Sequence, residues 1–168
     1  VRPVPAPADL VRNAEVIVVA RAEGLSDVPG RAGSLAGAKT QVTFSVLRVL
    51  KGELPGGELT FNGVLTDRND SNDRPVPYDF VRRGGRSGNC FALNYRQGAE
   101  YLLMLRRGDS DADAQPKTLT PYWSPLAPTN EQVLGANDDP WVAWVTRQLV
   151  IRVMPKSLQQ DLRNKDTR

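Results

Sequence analysis

Two segments, residues 40–66 and 88–106, constrain the fold more than any other feature of the chain. The first reads TQVTFSVLRVLKGELPGGELTFNGVLT and the second GNCFALNYRQGAEYLLMLR. Each joins two short runs of alternating apolar residues through a turn that carries glycine, the pattern of antiparallel strands with one covered face. Val42, Phe44 and Val46 alternate, and the pattern switches near Leu47, which predicts a bulge there. Lys51–Glu58 is a turn, and Leu59, Phe61 and Gly63 share one face of the next strand. Phe91, Leu93 and Tyr95 alternate again, Arg96–Ala99 turns the chain, and Glu100–Leu105 reads as a buried strand. Upstream, the unbroken β-branched run VIVVA within Glu15–Leu25 also predicts a buried strand.

Helical signals lie at the two ends. Residues 8–14 fit one or two turns. Asp139 and Pro140 read as N-cap and first residue of a helix whose Trp141, Trp144 and Val145 share a face. Pro155 interrupts it, and Ser157–Gln160 resembles a capping box for a short last helix. The expectation is a mainly β protein: an OB-like closed Greek-key β-barrel with short N-terminal and C-terminal helices. One domain is expected over residues 1–168. It comprises a proline-rich arm at 1–7, the barrel at 8–135, a C-terminal helical segment at 136–163 and a frayed tail at 164–168.

The order of motifs resembles the netrin-like module, the barrel found in tissue inhibitors of metalloproteinases. The matching pieces are Ala14–Arg21 (AEVIVVAR), Thr43–Gly52 (TFSVLRVLKG), Cys90 followed by Gly98–Leu105 (GAEYLLML), and Leu119–Glu131. The resemblance covers the strand-rich span of about residues 8–135. In those inhibitors an N-terminal cysteine chelates the catalytic zinc. Here the first residue is Val1 and no cysteine precedes Cys90, so the resemblance implies the fold without the inhibitory wedge.

Composition removes several chemistries. The 168 residues include no histidine and one cysteine, so neither a Ser-His nor a Cys-His dyad nor an intrachain disulfide can form. The net charge of +3 lacks the dense basic stripe of a dedicated nucleic-acid binder. No apolar run is long enough for a spanning helix. The start, VRPVPAP, fits a processed N-terminus, which leads us to expect a bacterial protein that is periplasmic, envelope-associated or secreted.

The candidate sites gather in the long polar loop 67–88, with loop 26–39 expected beside it at the barrel rim. Arg82, Arg83 and Arg86 sit in RRGGRSG, where a flexible backbone and three guanidiniums suit an acidic ligand. Tyr78 lies close by, and Trp123, between Pro121 and Pro125 in an exposed stretch, is a further contact residue. Asp67, Asn69, Ser71 and Asp73 space oxygen ligands like the start of a calcium loop, though Asn72 and Tyr78 depart from that pattern. Cys90 has no base to activate it and reads as a small buried strand residue. Glu100, Asp67, Asp73 and Asp79 are the carboxylates a hydrolase would draw on, and no spacing pairs them.

These features point to a non-catalytic exported module without a cofactor. Its partner is another protein, a second copy of itself or a small acidic ligand, and nucleic acid is disfavoured. Substituting Arg82 and Arg83 with alanine is then expected to weaken binding and leave the melting temperature unchanged. The alternatives are a single-stranded nucleic-acid-binding OB-fold, or a structural subunit of an extracellular or envelope assembly.

Overall fold

A computed structural model describes residues 3–27, 40–88, 90–108, 119–122 and 124–165. Its frame is two long strands, β1 (Val16–Asp27) and β2 (Thr40–Lys51), paired antiparallel. The register partners Arg48 with Val19 and Val46 with Ala20, passing over Leu47 as the bulge requires. The glycine-rich turn returns the chain as β3 (Glu58–Asn62) along β2. On the other side of β1 lies β6 (Glu100–Arg107), which in turn pairs with β7 (Leu119–Pro121) and β8 (Asn130–Val133). The sheet order is β3-β2-β1-β6-β7, and β3 approaches β7. The result is a nearly closed antiparallel barrel, mainly β and consistent with an OB-like barrel.

The continuous apolar runs of β1 and β6 have a simple cause: both faces of these strands are covered. Val16, Val18, Ala20, Tyr101, Leu103 and Leu105 point into the barrel with Phe44, Phe61 and Tyr95. Ile17, Val19, Leu102 and Met104 point outward, against α1 (Pro7–Asn13) and α3 (Pro140–Val153). The Asp139 side chain accepts from the N–H groups of Trp141 and Val142, so this N-cap stands as expected. Trp141 is fully buried and Trp144 stacks on it at 5.2 Å. No helix among the described residues is long and apolar enough to cross a membrane.

Three local expectations are corrected. The last helix, α4, runs Lys156–Lys165 and begins directly after Pro155, so Ser157 is helical and cannot serve as N-cap. Instead the Gln159 side chain donates to the carbonyl of Met154. The stretch after Leu119, expected to be exposed, contributes β7 and then buries Ala127 through Val133. Cys90 is partly exposed, off any strand, and has a φ of 59°, so it is not a buried strand residue.

Candidate functional site

The chain leaves the barrel at Gly63. A Cβ there would meet the Tyr95 ring at 2.7 Å, so only glycine lets the backbone pass so close. Beyond it, β4 (Val64–Thr66) pairs in parallel with β5 (Asn94–Arg96), and residues 67–93 arch between them as one loop. The roots of the loop therefore lie side by side, and its body lies against the free edge of β8, where Ser71 bridges to Gln132.

Arg82 anchors that loop from inside. It is fully buried, and its guanidinium donates to four oxygens: Asp70 Oδ2 at 2.5 Å, and the carbonyls of Asn94 at 2.8 Å, Asn130 at 2.9 Å and Ala92 at 3.0 Å. The rings of Tyr95 and Tyr101 lie 5.4 Å and 5.2 Å from its Cζ, within reach of a cation–π attraction. Burying a charge is unfavourable unless it is paired and hydrogen-bonded, and here both conditions are met.

Three consecutive residues of β8 receive the loop. Asn130 donates to the Ala92 carbonyl and the Tyr95 hydroxyl. Gln132 accepts from the Asp70 N–H and donates to Asn69 Oδ1. Between them Glu131, fully buried, accepts from the Arg82 N–H at 3.1 Å and from the Asn72 amide at 2.8 Å. Neighbouring strand residues point to opposite faces, so the loop grips the edge of β8 from both sides. Burial pushes the Glu131 carboxyl up to about 7, against the opposing pull of the Arg82 charge.

The expected site residues divide sharply. Arg82 cannot anchor an outside ligand, because its donors are engaged within the fold, and its loss cannot leave the melting temperature unchanged. Tyr78 is also a core residue, 4.9 Å from the Trp141 ring, with its hydroxyl pushed up to about 12 by burial. Arg83 and Arg86 lie in the short helix α2 (Arg83–Arg86) and share one carboxylate, Asp73. Hydrogen bonds from Arg86 and Arg83 hold the Asp73 carboxyl down at about 2. Trp123 and most of loop 26–39 lie outside the described residues.

The calcium-like spacing does not converge. Asn69 Oδ1 accepts from Ser71 and Gln132, Asp73 faces the two arginines, and Asp67 lies exposed at the loop root. Among the described residues no cluster of three His, Cys, Asp or Glu side chains could hold a metal ion. Of the other carboxylates, Glu100 pairs with Arg21 at 3.3 Å and Asp79 with Arg74 at 3.7 Å.

The paired glycines of RRGGRSG, Gly84 and Gly85, are tightly packed and not a flexible hinge. Gly84 N–H donates to both oxygens of Asp70, and a Cβ on Gly84 would sit 2.4 Å from Asp70 Oδ2. Gly84→Ala must displace the carboxylate that neutralises Arg82. A loss of about 1–3 kcal/mol is expected in urea unfolding, and wild-type stability would refute this packing role.

What remains open to solvent is the floor between the loop roots, a groove of about 750 Å³. Partnered residues of a parallel pair share a face, so Val64, Thr66, Asn94 and Arg96 line it, with Arg68, Gln97 and Asp67 beside them. The guanidiniums of Arg68 and Arg96 have no ion pair among the described residues, unlike those of Arg82, Arg83 and Arg86. Sequence reading missed both because each is a lone arginine outside the basic cluster. No model of a known protein family matches this sequence, and no curated protein does.

Proposed function

We propose that the protein is a non-catalytic binding module that holds an acidic partner at the end of the barrel carrying loop 67–93. The observation that carries this reading is the rigid seating of the loop by Arg82, Glu131 and Asp70, which presents cationic side chains around an open groove. A preorganised surface loses little conformational freedom on binding, so modest charge contacts are enough to give measurable affinity. The netrin-like reading accords with this role and rests on the order of motifs from Ala14 to Glu131. Export to the periplasm or cell exterior belongs to the same proposal.

The test is equilibrium binding at low salt to a glutamate-rich peptide, its glutamine counterpart and a single-stranded oligonucleotide. Binding of the glutamate peptide alone, weakening as salt rises, is the expected result. Binding of the oligonucleotide alone transfers the reading to the nucleic-acid alternative, and binding of neither ends it.

A further inference from the structure

Resting on that reading, we infer that the acidic partner is an extended polypeptide segment whose carboxylates are taken by Arg68 and Arg96 in the groove between the loop roots. Three observations converge on this site. First, the charge is uncommitted: the loop's other arginines have carboxylate partners, whereas Arg68 and Arg96 have none among the described residues. The backbone N–H of Arg96 donates to the Tyr101 hydroxyl and that of Arg68 to Thr66 Oγ1, which fixes both main chains and leaves the side chains to reach outward.

Second, the groove floor is preformed. The parallel register places Thr66 opposite Arg96 and Val64 opposite Asn94. Their outward face offers a half-exposed Val64, relative exposure 53%, with Asn94 beside it in register. With Val64 at one end of the ladder and the two guanidiniums at its Thr66–Arg96 end, the floor fits the methylenes and carboxylates of an extended acidic chain. Arginine binds a carboxylate in a planar two-bond fork, which favours this chemistry over a diffuse charge contact.

Third, no lining residue is aromatic. Tyr95, which lies between Asn94 and Arg96 in the chain, is fully buried against Phe44 and Arg82 on the opposite face of the ladder. Single-stranded nucleic acid is normally held by stacking on exposed rings, so a peptide suits this groove better.

The experiment compares two double variants in titrations of the full chain with the glutamate-rich peptide. Arg68→Ala with Arg96→Ala is expected to melt within about 2 °C of wild type, because both side chains are exposed and have no ion pair among the described residues, whereas Arg83→Ala with Arg86→Ala also strips Asp73 of its two partners and is expected to melt a few degrees lower while staying folded at the temperature of the titration. Arg68→Ala with Arg96→Ala is expected to weaken binding roughly tenfold, the effect of two exposed charge-assisted contacts, while Arg83→Ala with Arg86→Ala changes it less than about twofold. Amide shifts on titration are expected at 64–68 and 94–97. The reverse pattern overturns the groove and keeps the rim reading. Equal losses overturn the groove in favour of general attraction to a cationic surface. Wild-type protein that binds only the oligonucleotide, or neither probe, overturns both the groove and the function it rests on.

Discussion

Arg82→Ala is expected to destabilise the fold by about 3–5 kcal/mol, the usual consequence of removing one partner from a buried ion pair. At this chain length that corresponds to a fall in melting temperature of roughly 6–20 °C. The Asp70 carboxylate loses its neutralising charge, and the carbonyls of Ala92, Asn94 and Asn130 lose their shared donor. Loop 67–93 then keeps its bonds to the side chains of Asn130, Glu131 and Gln132, and its protection of the edge of β8 weakens. Arg82→Lys is expected to recover only part of the loss, because an ammonium cannot span oxygens arranged around a planar fork. Thermal melts and amide exchange of residues 70–94 provide the check. A wild-type melting temperature for Arg82→Ala would show that the guanidinium does not hold the loop.

The second large effect is a pH dependence centred on Glu131. Its carboxyl lies at about 7 in the folded protein and at its ordinary 4.5 when exposed. The folded state therefore holds the proton more tightly. The associated stability is complete below 4.5 and is lost as pH rises through 7. The window amounts to roughly 3 kcal/mol. Burial away from water is what disfavours the charged Glu131, and the nearby Asp70 carboxylate adds to it, against the opposing pull of the Arg82 charge and the hydrogen bonds from the Arg82 N–H and Asn72. Asp73, with its carboxyl near 2, titrates well below this range, and Tyr78, near 12, well above it. Urea unfolding at pH 5 and pH 8 should show the wild type more stable at the lower pH, and Glu131→Gln should flatten that difference. The slope is the quantity to read, since the glutamine amide opposes the Asn72 donor and shifts the absolute value. A variant that keeps the wild-type slope would locate the titration elsewhere.

Both effects arise where the linear pattern was misleading. RRGGR looks like a solvated basic loop, yet its first arginine is among the most buried side chains in the protein. The pairing between Arg82 and the carbonyl of Asn130 spans 48 residues, so nothing near Arg82 in the chain signals its burial. Likewise Asn130-Glu131-Gln132 carries no strand signal in the sequence, because three adjacent polar residues lack the alternation of a covered strand. The paired glycines suggested mobility, but they are small because Asp70 and Val81 pack directly against them. Arg68 and Arg96 showed no local signal, since each stands alone until the parallel pairing of β4 and β5 brings the roots of the loop together.

The sequence by itself determined the main strands β1, β2, β3 and β6, the bulge at Leu47, the Asp139 cap and the mainly β class. Each of these depends on residues within a few positions of one another, whose alternation or capping chemistry acts locally. Tertiary structure alone decided which charges lie inside and which are free at the surface. A charge is tolerated in the interior only when its partners converge from distant segments, and their arrival here turned the apparent binding arginine into the anchor of the loop and left two unremarked arginines facing the groove.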